Sequence, residues 1–551
     1  MTTLTASPNK GSVTLQQLID FSADRYNKLV EQLKVMLVAS NPTEAPQAES
    51  VTDIAFGQFR LDSRQLLDHD VFVLLKSQTA NAQKSRDYLL QASKQAAFIL
   101  SEVDPAQLLS STSEQSLSEL SCPVLYVPNI RDFLGSLIQA HLQYHQPVSL
   151  PAVVAVTGTN GKTTISQLVA QLTQSTGMSS AVMGTAGNGR LGSLVQASHT
   201  TGDALAVQQF LYQMGSEGAE VLALEASSHG LDQQRLQGMP VTVAIYTNLS
   251  RDHLDYHADM AEYAAAKAKL FDTAHFPNLT HAIINADDEY AHVMLEMATA
   301  SGLTVWTYSL DPSKTATFVA AKITPSLQGV DIRLRTDFDG QSATDIDIVS
   351  PLLGRFNVAN LLAAVAAVTA LDAQTPTDIT PIAAAVSQLQ GAVGRMQRVP
   401  SSDGCFIVDY AHTPDALSQV LSSLKTHCKG QLWAVFGCGG DRDAGKRPLM
   451  AQAGLAGADQ VILTADNPRT EDPNAILQDM QVGMSTEQYQ RAHIEPARQT
   501  AIEYAVNQAG PDDIVVIAGK GHETYQEINH VRHDFDDSVV LQQMLARVGR
   551  A

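Results

Sequence analysis

The chain has 551 residues, 44% of them hydrophobic, and a formal net charge of −21. That length implies two to four domains with real cores, and the charge argues against broad attraction to nucleic acid or anionic membranes, which requires a basic surface. Four cysteines, Cys122, Cys405, Cys428 and Cys438, show neither a disulfide framework nor paired metal-ligand spacing. No basic segment followed by an apolar core and cleavage site opens the sequence, so no secretory signal is expected. The longest apolar-looking run, Val358–Leu371, falls short of the roughly 18 residues that suggest a membrane span, and a soluble cytoplasmic protein is expected.

Up to about Gln146 the patterning is mixed, and Gln146–Pro151 reads as a linker. Ala152–Val156 is an apolar run that predicts a buried strand, and the apolar spacing of Ile165–Leu172 predicts a helix. Strands are predicted at Glu220–Leu224, Val241–Tyr246 and His281–Asn285, alternating with helical segments. Such alternation implies an α/β fold with a mostly parallel sheet covered by helices. Val330–Arg335 and Asp345–Val349 alternate with period two around Asp339-Gly340, which predicts a small antiparallel excursion. Asp372–Pro381 reads as a turn-rich loop. A second alternation, with strands at Cys405–Asp409, Leu432–Phe436, Gln460–Thr464 and Ile514–Ala518, predicts a smaller, dinucleotide-fold-like (Rossmann-like) domain. Three domains are expected, over residues 1–147, 148–393 and 394–551.

Between the first strand and helix of the central domain stand Gly158, Thr159, Asn160, Gly161, Lys162, Thr163 and Thr164. A glycine loop there lets backbone N–H groups close around phosphate oxygens at the positive end of a helix. Lys162 would neutralise the terminal phosphates and the Thr163 hydroxyl would reach magnesium, so an ATP site is expected. Val156 stands where the usual G-x-x-x-x-G-K-[ST] loop has its first glycine. Glu225 ends a strand, where a carboxylate projects into the ligand crevice of a parallel sheet; it is a magnesium ligand or a solvated strand-end group. His253, in Thr247–His257 after another strand, is a second candidate ligand, although a lone histidine is more often structural.

The string Thr157-Gly158-Thr159-Asn160-Gly161-Lys162-Thr163-Thr164 resembles the phosphate loop of the Mur ligase superfamily, which includes folylpolyglutamate synthetase. Further matches follow in order from about residue 151 to 530: Thr247–His257, Asn285–Asp288, Leu353–Asn360, Gly394–Met396 and Asp409–Pro414. The resemblance implies a three-domain architecture: an N-terminal UDP-sugar-binding domain, a central P-loop ATPase domain with a parallel sheet, and a C-terminal amino-acid-binding domain. It implies that Lys162, Glu225, His253, Lys267 and Arg395 carry catalysis, with Lys267 carbamylated to become a magnesium-supporting oxygen donor. Asn285 would approach adenine, Arg395 the γ-phosphate and Asp409 the ATP ribose. Asn357, on residue grounds alone, reads as the cap of a helix start.

Asp466-Asn467-Pro468-Arg469 resembles the motif by which members that add meso-diaminopimelate differ from those that add lysine. An arginine fork can grip the additional carboxylate of diaminopimelate with two hydrogen bonds. By the same resemblance Arg442 holds a substrate carboxylate, and Gly519 and Glu523 accept from the distal ammonium. Ser63, Thr200, Thr201, Ser227, Arg235 and Lys267 match positions that hold the UDP-muramoyl substrate. Two departures stand out: the family's usual Asp-Gly pair is absent from Ser77–Tyr88, and His199 stands where asparagine is frequent. The expected substrates are ATP, UDP-MurNAc-L-Ala-D-Glu and meso-diaminopimelate, with Mg2+ as cofactor. No nucleic acid and no membrane insertion are expected, and the chain is read as a monomer. A nucleotide-binding protein that forms no product is the competing expectation, and it would not need Lys267.

Overall fold

A computed structural model describes residues 12–22, 51–77, 82–109, 120–197, 199–371 and 378–551. Residues 372–377 of the expected loop and residues 78–81 of the divergent segment lie outside the described residues. Three main sheets follow one another along the chain. The first holds four parallel strands side by side: β1 (Phe59–Arg60), β2 (Val71–Leu74), β3 (Phe98–Ser101) and β4 (Val124–Tyr126). Strands of two to four residues are too short to display a period, so this sheet is hidden in the mixed patterning of the sequence.

After the irregular Gln146–Pro151 stretch come β5 (Ala152–Thr157), β6 (Ser180–Gly184), β7 (Gly187–Gly189), β8 (Val221–Glu225) and β9 (Val241–Tyr246). β10 (His281–Asn285), β11 (Thr304–Ser309), β12 (Phe318–Ser326), β13 (Gly329–Thr336) and β14 (Thr344–Ser350) complete the second sheet. Its order is β14-β13-β12-β11-β10-β9-β5-β8-β6-β7. From β12 through β11, β10, β9, β5 and β8 to β6 every pair is parallel; β7 pairs antiparallel with β6 at one edge, and the predicted antiparallel excursion is the β12–β13–β14 meander at the other. β5 is flanked by β8 and β9, so the chain reverses its direction of travel across the sheet beside β5. Ligand crevices of open α/β sheets lie at such a reversal, at the carboxyl ends of the strands.

The alanine-rich run lies in a helix, Arg355–Leu371, buried on nearly every side and packed against the helix Lys162–Ser175. It lacks an apolar stripe because almost none of its surface meets water. No helix among the described residues is long and apolar enough to cross a membrane.

The third sheet contains β15 (Gln397–Val399), β16 (Cys405–Asp409), β17 (Leu432–Phe436), β18 (Gln460–Leu463), β19 (Ala492–Ile494) and β20 (Ile514–Ala518), in the order β15-β16-β20-β17-β18-β19. All its pairs are parallel except β15–β16. A hairpin of β21 (Tyr525–Ile528) and β22 (Val531–Asp534) turns through Asn529 and His530, both at positive φ (50° and 64°), as a two-residue hairpin turn requires.

Candidate active site

The chain leaves the carboxyl end of β5 through Gly158, whose φ is 148° and whose Cβ, if present, would strike the Thr247 hydroxyl. Gly161, at φ 89°, then begins the helix Lys162–Ser175. The residues after β9 brace the loop. The Thr247 hydroxyl donates to the Asn160 carbonyl at 2.6 Å, and the Asn160 N–H donates to Asn248 Oδ1 at 3.0 Å. Asn360 lies under Gly161 and donates to Asn357 Oδ1 at 3.1 Å. Asn357 does not cap its helix: it sits in the first turn and donates to the Leu353 carbonyl at 2.8 Å, because the helix already starts at Arg355. The Lys162 ammonium donates to the carbonyls of Gly158 and Thr159, both at 2.9 Å. The unpaired N–H groups of the helix start therefore stand beside a cation, the arrangement that attracts phosphate.

Glu225, at the end of β8, is 1% exposed. It accepts from the Thr163 hydroxyl at 2.9 Å, the Thr185 N–H at 2.8 Å and the Thr185 hydroxyl at 3.2 Å. Lys267 is equally buried; its ammonium donates to the Gly158 carbonyl at 2.9 Å and lies 4.6 Å from the centre of the Tyr263 ring. Burial holds the Lys267 ammonium well below the usual lysine range, and the charge of Lys162 lowers it further. Burial also lowers Lys162; Arg395 adds to the effect, while Glu225 and Asp252 oppose it. Thr163, Glu225 and Lys267 thus meet around one loop. His253 stands on an exposed turn at φ 53°, its ring 4.9 Å from His229 and 6.0 Å from Tyr263. Among the described residues no three His, Cys, Asp or Glu side chains form a metal-binding cluster. The Thr163 hydroxyl and Glu225 carboxylate are nevertheless hard oxygen donors beside the glycine loop, and magnesium is commonly held by one carboxylate together with substrate phosphates. Asn285, at the end of β10, donates to the Thr247 carbonyl at 2.7 Å.

A second cluster adjoins Glu225. The Thr201 hydroxyl donates to the Glu225 carbonyl at 2.8 Å and accepts from the Ser227 N–H at 3.1 Å. The Thr200 hydroxyl lies 3.1 Å from that of Thr185, and Arg235 donates to the Thr201 carbonyl at 3.0 Å. Gln233, which no reading of the sequence singled out, holds Arg235 through its Oε1 at 3.0 and 2.8 Å and donates to the Tyr256 hydroxyl at 3.1 Å. Its carbonyl accepts from Arg131, in the short helix Ile130–Asp132 after β4, at 3.2 Å. Ser63 opens the short helix Ser63–Gln65 after β1 of the first sheet.

Residues 390–396 connect the second sheet to the third. Gln171 donates to the Gly391 carbonyl at 2.6 Å and accepts from the Gln390 N–H at 2.8 Å. Gln167 accepts from the Val393 N–H at 3.1 Å. Both glutamines belong to the phosphate-loop helix. On the other side, Gly394 packs so closely on Gly521 and His522 that no Cβ would fit. Asp409, at the end of β16, accepts from the N–H groups of Met396 and Ala411, each at 2.7 Å. Burial raises its carboxyl pKa, with Arg395 and those two amides opposing. Arg395 is therefore anchored from both sides, with its guanidinium 4.5 Å from the centre of the Tyr410 ring.

The carboxyl ends of β17, β18 and β20 supply a third group. Asp466, Asn467, Pro468 and Arg469 run beside the β21 strand: the Arg469 N–H donates to the Glu527 carbonyl at 2.9 Å, and the Glu527 N–H to Asn467 Oδ1 at 2.9 Å. Arg469 adopts φ 52° and donates to the Gly440 carbonyl at 2.7 Å. Asn467 donates to Glu523 at 2.8 Å, and Gly519, at φ 115°, abuts Asp466. Arg442 is exposed, and with Arg469 it flanks Gly439. Two cations, Arg442 and Arg469, and two carboxylates, Asp466 and Glu523, border these strand ends, a setting for a ligand that carries both signs of charge.

Comparison with known proteins agrees with this layout. Residues 156–368 match the Mur ligase middle domain, and residues 394–521 match the Mur ligase glutamate ligase domain. The chain is 39% identical over 498 residues to a UDP-N-acetylmuramoyl-L-alanyl-D-glutamate–2,6-diaminopimelate ligase of Chromobacterium violaceum, covering 89% of this chain and 94% of that one. It is 40% identical over 507 residues to the protein of that name from Haemophilus ducreyi, covering 90% and 96%. A solved structure with the same name is 43% identical and superposes with a TM-score of 0.68, over 91% of this chain and 97% of that one.

Proposed function

The chain belongs to the Mur ligase family, and on that premise we propose that it adds meso-diaminopimelate to UDP-MurNAc-L-Ala-D-Glu, with ATP converted to ADP and phosphate. The reaction belongs to peptidoglycan precursor synthesis, and we read the protein as a cytoplasmic monomer. The observation that carries this reading is the connection at residues 390–396, pinned to the phosphate-loop helix by Gln167 and Gln171 and to the third sheet by Asp409. This supports the reading because Arg395 is held between the loop helix and the third sheet, and a ligase must bring its nucleotide and its amino acid together.

A carboxylate is a poor acyl donor because its leaving group would be oxide. The glutamyl carboxylate of the UDP substrate therefore attacks the γ-phosphorus of ATP, giving an acyl phosphate and ADP. The diaminopimelate amine then attacks the acyl carbon, and phosphate leaves from the tetrahedral intermediate. Lys162 and Arg395 offset charge that develops on the transferred group. Thr163 and Glu225, aided by His253 and a carbamylated Lys267, would hold magnesium, which when bound supplies further positive charge to the phosphates. Carbamylation needs a neutral amine, and the low pKa that burial imposes on Lys267 favours that form. Thr200, Thr201, Ser227 and Arg235 with Ser63 receive the UDP-muramoyl part, Asn285 and Asp409 the nucleoside of ATP. Arg442 and Arg469 take carboxylates, Glu523 the distal ammonium.

Purified protein is expected to release phosphate only when ATP, magnesium, UDP-MurNAc-L-Ala-D-Glu and meso-diaminopimelate are all supplied. Equal turnover with lysine in place of diaminopimelate would refute the assigned specificity.

A further inference from the structure

Lys520 follows Gly519 at the carboxyl end of β20, and its side chain is 0% exposed. A buried ammonium is costly unless it is paired and hydrogen-bonded. Its partners are two residues of the amino-acid pocket: Asn467 Oδ1 at 3.2 Å and Glu523 Oε2 at 3.2 Å. Asn467, 3% exposed, uses both ends of its amide. Oδ1 accepts from Lys520 and the Glu527 N–H, while Nδ2 donates to Glu523 Oε2 at 2.8 Å. Glu523 Oε2 thus takes two donors. Oε1 takes none among the described residues, and the side chain keeps 20% exposure.

We propose that Lys520 is the positioning residue of the amino-acid pocket, locking Glu523 and Asn467 in place and setting the pocket's preference for a side chain that ends in both an ammonium and a carboxylate. This rests on the reading that Asp466–Arg469 and Glu523 receive diaminopimelate. The locked carboxylate presents one oxygen to the ligand ammonium without first losing side-chain freedom. The Lys520 charge has a second effect. Asp466 and Glu523 alone would attract any ammonium, including that of lysine. A fixed cation 3.2 Å from Glu523 cancels part of this attraction, so binding also needs the carboxylate grip of Arg469. Discrimination gained by penalising the competitor is a recurrent device of specific sites.

The test compares wild type with Lys520→Met, an uncharged replacement of similar length, in steady-state assays with diaminopimelate and with lysine. The KM for diaminopimelate is expected to rise roughly tenfold or more, the scale of a lost hydrogen bond to a charged group. The KM for ATP should stay within about twofold, and the ratio of kcat/KM for diaminopimelate over lysine should fall. If that variant folds poorly, Lys520→Met with Glu523→Gln removes both charges together. It should regain thermal stability and, measured against Glu523→Gln alone, show a lower ratio of kcat/KM for diaminopimelate over lysine. An unchanged amino-acid preference, or equal changes in every KM, overturns the inference while leaving the reaction intact. Failure of wild type to turn over diaminopimelate overturns the assigned reaction, and this inference with it.

Discussion

At Gly158 the consequence of one methyl group can be worked out. The backbone there adopts φ 148°, and the added Cβ would meet the Thr247 hydroxyl that holds the Asn160 carbonyl. Strain of this kind costs on the order of 1–3 kcal/mol, and relief requires the loop to move off its brace. Gly158→Ala should therefore weaken ATP binding by about tenfold or more, read by calorimetric titration; an unchanged Kd would show that the loop does not bind through this conformation. The same geometry explains the departure at Val156. That side chain is buried inside β5, paired opposite Glu225 of β8, so the backbone turn is made two residues later by Gly158. The loop motif was legible from adjacent residues. Its braces, Thr247, Asn248 and Asn360, were visible only as parts of matching strings, because each lies more than eighty positions away.

Strands buried on both faces read as continuous apolar runs, which is why β9, β10, β16, β17 and β20 lie at their predicted bounds. What ties those strands into a pocket is less visible. Arg498, the first residue of the helix Arg498–Gln508, is wholly buried and donates to the carbonyls of Ala465 at 3.3 Å and Ala518 at 3.0 Å. These residues precede the Asp466–Arg469 and Gly519–Glu523 loops. Its charge is balanced by Asp537, at 2.6 and 2.7 Å. Arg498→Met leaves the Asp537 carboxylate buried alone, a loss of about 3–5 kcal/mol measurable by denaturant unfolding. Arg498→Met with Asp537→Leu should recover most of that stability but not the KM for diaminopimelate. Full recovery of both would mean that the arginine does not set the loops. A helix-start arginine gives no sign in sequence that it reaches two strand ends.

The joints between sheets depend on groups distant along the chain. His427, 4% exposed, donates from Nδ1 to the Ser326 carbonyl of β12 at 2.8 Å and accepts from the Gly354 N–H at Nε2 at 2.9 Å. Both contacts require a neutral ring with its proton on Nδ1. Burial lowers its pKa from the ordinary 6.5, with the Ser326 carbonyl opposing. The unfolded chain therefore takes up a proton below about 6.5 that the folded chain resists, so this contribution is complete above that pH and is lost as pH falls towards the folded-state value. Thermal unfolding between pH 7.5 and 5 should show wild type losing stability faster than His427→Gln. Parallel curves for the two proteins would count against this joint.

Composition, the order of apolar runs and the contiguous strings around Lys162, His253, Arg395 and Arg469 were enough to mark an α/β chain of the Mur ligase family, because each signal is carried by neighbours along the backbone. The parallel crossovers, the first sheet's short strands, the glutamine clamp on residues 390–393 and the burial of Lys520 and Arg498 emerged only on folding. Parallel strands return to the same edge after long excursions, so residues tens to hundreds of positions apart meet at their carboxyl ends, and no local period records which ones will meet.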